Sequence, residues 1–211
     1  MRNRERLRGL YVITDAVLTP SQTILKQVSQ ALKGGATIVQ LRDKKSSLTD
    51  ITKIALELEH LCKKHDAIFI LNDEVALAIE LGLSGLHVGK SDHHRVAQIR
   101  KDFSGYLGVS CYDDVNFAKE MQDLGVDYVA FGSFFHSPTK PTSNIVPLET
   151  ITKAKEQLSI PVCVIGGLNS QNIDTIMQYK PDMISLISAI WESNNIEKKS
   201  NEFSKLYEIK I

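Results

Sequence analysis

Thr37-Ile-Val-Gln-Leu-Arg-Asp-Lys-Lys45 is the stretch on which the reading of this chain turns. It begins as a buried strand, with β-branched Thr37, Ile38 and Val39, and ends with polar residues at alternate positions, Gln40, Arg42 and Lys44. Side chains alternate faces along a strand, so these three are expected on one side. Facing a dry core, two unpaired cations would each be strongly destabilising. One such segment alone reads as a strand end fraying into solvent. Several other apolar strands of this chain end in the same way, and the repetition points to a shared polar rim.

Outward from that strand the chain alternates. Gly9 to Asp15 reads as a strand and leads through Thr19-Pro20-Ser21 into an amphipathic helix that Gly34-Gly35 stop. After the Thr37 strand, Leu48, Ile51, Ile54, Ala55, Leu58 and Leu61 recur at helical spacing, with Asp50 in the first turn. Ala67 to Asp73, Gly85 to Gly89 and Gly105 to Ser110 are further strands, and Asp92 is expected to cap a helix running to about Lys101. Asp113-Asp114 open the next helix, and Asp127 to Gly132 is a strand before a long loop from Ser133 to Val146. Pro161 to Gly167 and Met183 to Ser188 complete the strands, with Asn169 as a cap between them and a final helix from about Ile196 to Tyr207. Near-continuous apolar strands, each followed by a helical pattern, predict an all-parallel sheet covered by helices. Eight such units predict a single (β/α)8 (TIM) barrel over residues 1–211, with residues 1–8 a basic, solvated tail. A doubly wound open sheet is the alternative, because Asp73 to Gly89 leaves room for only one short helix.

Composition bounds the function. The chain has 211 residues, 43% hydrophobic, enough for a sizeable core. With 25 basic against 25 acidic residues, it lacks the cationic excess that nucleic-acid or membrane-surface binding requires. No apolar run is long enough to span a bilayer, and no signal-peptide segment follows Arg2, Arg4, Arg6 and Arg8. Cys62, Cys111 and Cys163 are far apart and odd in number, which predicts reduced thiols and a cytoplasmic protein.

In a (β/α)8 barrel the active site lies at the C-terminal ends of the strands. The residues there include Thr14 and Asp15, Gln40 to Lys44, Asn72 and Asp73, His87, Asp92 and Ser110, then Ser133 to Lys140, Gly166-Gly167, and Ile187-Ser188. Asp73 and Asp92 end neighbouring strands. One or two carboxylates together with substrate phosphates are the usual Mg²⁺ arrangement, against the plainer reading of a turn residue and a helix cap. His93 and His94 are adjacent on a helix and point about 100° apart, so they cannot both hold one ion; they read as surface residues. His87, within an apolar strand, reads as a hydrogen-bonded core histidine. Gly166-Gly167 and Ser188-Ala189 follow the seventh and eighth strands, where barrels often bind phosphate. The sixth loop holds Lys140 between Pro138 and Pro141, and a loop of that length with embedded aromatics reads as functional.

Gln40-Leu-Arg-Asp-Lys44, Asn72-Asp73, His87-Val-Gly-x-x-Asp92, Gly108-Val-Ser110, Tyr128 through Ser137-Pro-Thr-Lys140, Ile165-Gly-Gly167 and Leu186-Ile-Ser-Ala-Ile190 occur in that order. Together, over about Gly9 to Ile190, they resemble the thiamine-phosphate synthase family. The resemblance implies a (β/α)8 transferase of thiamine biosynthesis. Such an enzyme joins 4-amino-2-methyl-5-pyrimidinylmethyl diphosphate to a thiazole phosphate and releases diphosphate. It implies that Gln40, Leu41, Arg42, Asp43 and Lys44, with Asn72, Ser110 and Lys140, line the pyrimidine diphosphate pocket, and that Arg42, Lys44, Lys140 and Ser110 act in catalysis. It implies Asp73 and Asp92 as ligands of Mg²⁺, and Ser137, Pro138, Thr139, Gly167, Ile187 and Ser188 at the thiazole phosphate. Lys90, His136 and Cys111-Tyr112 depart from the family's usual residues, none at an assigned position. Two alternatives stand beside this reading, a thiazole tautomerase relative and a non-catalytic thiamine phosphate-binding module. The expected partners are small-molecule substrates rather than nucleic acid or membrane, with homo-oligomerisation left open.

Overall fold

In the computed structural model, which describes residues 3–136 and 144–208, the alternating strands close into a ring. β1 (Gly9–Ile13), β2 (Ala36–Leu41), β3 (Ile68–Asn72), β4 (Gly85–Val88), β5 (Tyr106–Tyr112), β6 (Tyr128–Phe131), β7 (Val162–Ile165) and β8 (Met183–Leu186) pair in sequence order, all parallel. β8 returns to β1, with Leu10 opposite Ile184 and Val12 opposite Leu186. The barrel is therefore (β/α)8, and the open-sheet alternative falls because β1 is bonded on both edges. The connecting helices are α1 (Ile24–Lys33), α2 (Leu48–Lys64), α3 (Val75–Glu80), α4 (Val96–Asp102), α5 (Val115–Asp123), α6 (Glu149–Gln157), α7 (Ile173–Met177), α8 (Ser188–Trp191) and α9 (Ile196–Ser204). The doubtful fourth unit closes because α3, with 6 residues, is enough to return the chain from β3 to β4.

The two faces of each strand feed two cores. Leu10, Val12, Val39, Leu41, Phe69, Leu71, Leu86 and Leu107 point outward and pack with helix residues such as Val28, Leu58, Ala78 and Ile99. Tyr11, Ile38, Ile68, Ile70, Tyr106 and Tyr128 fill the barrel interior. β5 has glycine at position 108 because a Cβ there would lie 2.0 Å from the Tyr128 ring, which occupies that space. Ser47 and Asp114 cap α2 and α5, their side chains accepting from the backbone N–H of Asp50 and Phe117.

Three local expectations are revised. Asp92 does not cap α4: it lies within a 3₁₀ turn, Lys90–Arg95, and no side chain caps the helix that follows. Asn169 orders the loop before α7, its Oδ1 accepting from the Gln171 N–H, rather than starting the helix. The tail is not simply solvated. Leu7 joins the interior core, Tyr106 donates its hydroxyl to the Asn3 carbonyl at 3.0 Å, and Arg4 Nε reaches Asp127 at 3.3 Å. The lower mouth of a barrel exposes apolar interior, and covering it with Leu7 removes that surface from water. Arg6 and Arg8 stay exposed, Arg6 pairing with Asp66 at 2.7 Å.

Asp127 ties this end together. Its carboxylate is 1% exposed, receives the Leu107 N–H at 2.9 Å and pairs with Arg100 at 2.9 Å, whose side chain is 12% exposed. Breaking a buried pair from one side costs about 3–5 kcal/mol, whereas a solvated pair contributes about 1 kcal/mol or less. Urea denaturation of Asp127→Ala should therefore show a loss near the buried-pair range. Arg4→Ala, whose side chain is 41% exposed, should lose no more than the solvated-pair value.

Candidate active site

The polar rim predicted from strand ends is real, but the alternation that suggested it stops early. β2 ends at Leu41, so only Gln40 of the Gln40–Arg42–Lys44 series is placed by strand geometry; it is buried and points inward. Arg42 and Lys44 lie in the following loop. The Arg42 N–H is held by Thr14 Oγ1 at 3.0 Å, across to the end of β1. Leu41 packs outward into the helix layer. Asp43 folds back on its own loop, accepting from the Lys45 and Ser46 N–H groups and the Ser46 hydroxyl. Burial opposes ionisation of Asp43, but these hydrogen bonds and Lys45 outweigh it and hold the carboxyl below its ordinary range. The Asp15 carboxylate also turns to its own loop, accepting from the Val17 and Leu18 N–H groups, and Asp15 lines the cavity at the barrel mouth.

One cavity at the C-terminal end of the barrel gathers most of the remaining candidates. Gln40, Arg42, Asn72, Ser110, Gly167, Ile187 and Ser188 all line it. Among the described residues the Arg42 guanidinium has no hydrogen-bond or ion-pair partner. Ser137, Pro138, Thr139 and Lys140 lie outside the described residues. α8 brings Ser188 over β1 because the Trp191 indole donates to the Ile13 carbonyl at 2.6 Å. Gly167, with φ +66°, is required by close backbone approach: a Cβ would lie 2.3 Å from the His136 carbonyl oxygen. The space expected for a phosphate's approach on that side is thus filled by the sixth loop.

Lys44, Asp73 and Asp92 do not line that cavity; they lie just beyond the ends of β2, β3 and β4. Asp73 has φ +64°, a conformation aspartate tolerates in turns, and pairs with Lys44; its Oδ1 accepts from the Gly89 N–H at 3.3 Å. Asp92 is buried and pairs with Arg95, with Nε at 2.7 Å, and with the Ser91 hydroxyl. Burial alone would raise its pKa; the Ser91 and Arg95 hydrogen bonds overcome that and lower it. Both groups are hard oxygen donors, Asp73 directly after β3 and Asp92 in the turn that follows β4, and among the described residues no cluster of three or more His, Cys, Asp or Glu could hold an ion. This donor set fits Mg²⁺ held jointly with a substrate's oxygens and does not suit a softer metal.

Five side chains that no motif joined form a continuous hydrogen-bonded line through the interior. Gln40 Nε2 donates to the Tyr11 hydroxyl at 2.5 Å, and the Tyr11 and Tyr128 hydroxyls are 2.9 Å apart. Tyr128 bonds His87 Nδ1 at 2.9 Å, and His87 Nε2 bonds Ser110 Oγ at 2.9 Å. With the Gln40 amide so oriented, the line is consistent when each group donates to the next, an arrangement that leaves the Ser110 hydroxyl hydrogen for a ligand. His87 is a hydrogen-bonded core histidine, as expected, yet it also lines the cavity. The Ser110–His87 distance is that of a nucleophile–base pair, but both imidazole nitrogens are engaged by neutral hydroxyls, so the contact orients Ser110. His93, read as a surface residue, is part of the same support: its Nε2 donates to the Ser110 carbonyl at 3.0 Å and its ring lies 4.4 Å from that of Phe117. Burial depresses its pKa, partly countered by that carbonyl. Cys163 lines the cavity floor with its thiol pushed up by burial, which keeps it protonated and a poor nucleophile.

Tyr128→Phe removes the link between Tyr11 and His87 while keeping the ring. Leaving buried partners unsatisfied costs about 1–3 kcal/mol, and chemical denaturation should show a loss of that order. A variant as stable as the wild type would mean that the line is not a paired network.

Comparison with known proteins agrees with this geometry. The family model described as thiamine monophosphate synthase matches residues 10–190. A thiamine-phosphate synthase of Thioalkalivibrio sulfidiphilus is 36% identical over 206 residues, covering 97% of this chain and 98% of that protein. One from Wolinella succinogenes is 38% identical over 198 residues, covering 93% of this chain and 91% of its own. Among solved structures, a thiamine phosphate pyrophosphorylase from Pyrococcus furiosus superposes with a TM-score of 0.86 at 30% identity, covering 98% of both chains. A 3-hexulose-6-phosphate synthase, at 17% identity and a TM-score of 0.69, shares the fold. The chain belongs to the thiamine monophosphate synthase family.

Proposed function

We propose that this protein is a thiamine-phosphate synthase that joins 4-amino-2-methyl-5-pyrimidinylmethyl diphosphate to a thiazole phosphate. The observation that carries the reading is Arg42, a cavity-lining cation with no ion-pair partner among the described residues; Asp15, the one carboxylate on that lining, is held by the Val17 and Leu18 N–H groups, and the lining offers no activated nucleophile. That combination suits a substrate that brings its own negative charge and its own leaving group. The bond from the pyrimidine methylene to the diphosphate oxygen breaks with its electron pair on the diphosphate. The thiazole nitrogen lone pair then forms the new carbon–nitrogen bond to the pyrimidine-stabilised cation, with no proton to be removed from the nucleophile.

The residues divide between the two charges. Arg42 and Lys44, with Lys140 from the sixth loop, offset charge that grows on the departing diphosphate. Gln40, Asn72 and Ser110 hold the pyrimidine end, Ser110 through the hydroxyl hydrogen that its contact with His87 leaves over. Ile187 and Ser188 receive the thiazole phosphate, and Gly167 lets the sixth-loop backbone close in beside them. Asp73 and Asp92 would hold Mg²⁺ together with the diphosphate, where it supplies Lewis-acid neutralisation of the leaving group. The rival readings, a thiazole tautomerase and a silent thiamine phosphate-binding module, leave Arg42 and the carboxylate pair without a task. Formation of thiamine phosphate from the two substrates and Mg²⁺ is the direct test; substrate binding without turnover would favour the binding module.

Arg42→Ala should lower turnover about 10²–10³-fold with a smaller change in binding of the pyrimidine diphosphate, since an interaction that strengthens in the transition state acts mainly on turnover. Single-turnover rates within a few-fold of wild type would remove Arg42 from catalysis. Asp92→Ala should abolish most activity and raise the Mg²⁺ requirement. Its stability should change by about 1 kcal/mol or less, because Arg95 is 47% exposed and can be solvated. Lost stability with an unaltered Mg²⁺ dependence would make Asp92 an anchor of its turn instead.

A further inference from the structure

Ser185 carries a buried hydroxyl without a partner among the described residues. It is 3% exposed, it lines the cavity, and its Oγ makes no hydrogen bond to any of them. On β8 it sits between Tyr11 of β1 and Ile165 of β7. Leaving such a group unpaired is destabilising, and native structures rarely tolerate it without a use. An alanine would hold the position without that penalty.

We propose that Ser185 reads the heterocycle of the pyrimidine substrate and so sets its specificity. The inference rests on the reading of the chain as a thiamine-phosphate synthase. Depth and chemistry select the substrate. Ser185 lies two residues deeper along the chain than Ile187, about 6–7 Å below the positions assigned to the thiazole phosphate. At that depth its neighbour is Tyr11, whose hydroxyl holds Gln40. A thiazole ring offers one hydrogen-bonding atom, the nitrogen, and that nitrogen must keep its lone pair for the attack. An aminopyrimidine offers two ring nitrogens and an amino group, and none of these is consumed. By accepting from the 4-amino group, the Ser185 hydroxyl completes, with Gln40 and Ser110, a set of polar contacts that only the aminopyrimidine can occupy.

The test pairs one variant with two substrates. Ser185→Ala removes the hydroxyl and retains the backbone and Cβ. With the 4-aminopyrimidine diphosphate, kcat/KM should fall about 5- to 10-fold, the range expected for one neutral hydrogen bond. With an analogue in which hydrogen replaces the amino group, wild type and variant should differ by less than twofold, and KM for the thiazole phosphate should not move. The ligand-free variant should melt at the same temperature as wild type or higher, since an unpaired polar group has been removed; a structural hydroxyl would give the opposite. Equal loss on both pyrimidines, a shift confined to the thiazole phosphate, or lowered stability would each overturn the proposal. If wild type couples the substrates and the variant matches it, the assignment of Ser185 alone fails. If wild type forms no thiamine phosphate, the underlying reading fails and this inference with it.

Discussion

The interior of this barrel is polar along one line, and the site depends on that line being fully paired. A buried hydroxyl or imidazole without a partner is destabilising, whereas a saturated network specifies one arrangement. Gln40, Tyr11, Tyr128, His87 and Ser110 come from β2, β1, β6, β4 and β5, and each satisfies the next. The line therefore does two things: it joins opposite walls of the barrel, and it delivers oriented groups, Gln40 and Ser110, to the cavity at its two ends. Gly108 serves the same arrangement from behind, since only a residue without a side chain leaves room for the Tyr128 ring.

Charge is arranged differently from hydrogen bonding. The chain carries no net charge, yet at the catalytic end Asp73 is matched by Lys44 and Asp92 by Arg95, Asp15 and Asp43 are held by backbone N–H groups, and Arg42 has no ion-pair partner among the described residues. Two of these partners, Lys44 and Arg95, are about half exposed, so they can be drawn away at little cost when a more highly charged ligand arrives. At the opposite end, Asp127 and Arg100 are buried against one another and act as structure. The same residue types thus serve binding at one mouth of the barrel and cohesion at the other, and solvent access separates the two roles.

Much of the architecture was legible in sequence because it depends on short-range pattern. Apolar runs bounded by Gly34-Gly35 or Asp113-Asp114 marked strands and helices locally, and right-handed parallel crossovers leave few ways to assemble eight such units. Gln40, Asn72 and Ser110 were also legible, because strand ends point at the catalytic mouth. The alternation argument then failed at Arg42 and Lys44, where β2 has already ended and loop geometry takes over. Asp43 and Asp15 look like site carboxylates in sequence but are spent on their own loops.

What the sequence determined by itself was the succession of strands and helices, the catalytic mouth, and the kind of chemistry available there, since these follow from side-chain periodicity and residue type. Only the tertiary structure decided that His87 meets Ser110, that Tyr11 meets Tyr128 across 117 positions of chain, and that Ser185 is left with an unused hydroxyl. It also decided that Gly167 is needed for the approach of the sixth-loop backbone. These are contacts between strands distant in sequence, fixed by barrel closure and register. A hydrogen bond depends on placement to within a few tenths of an ångström, and no local pattern of residues encodes that placement.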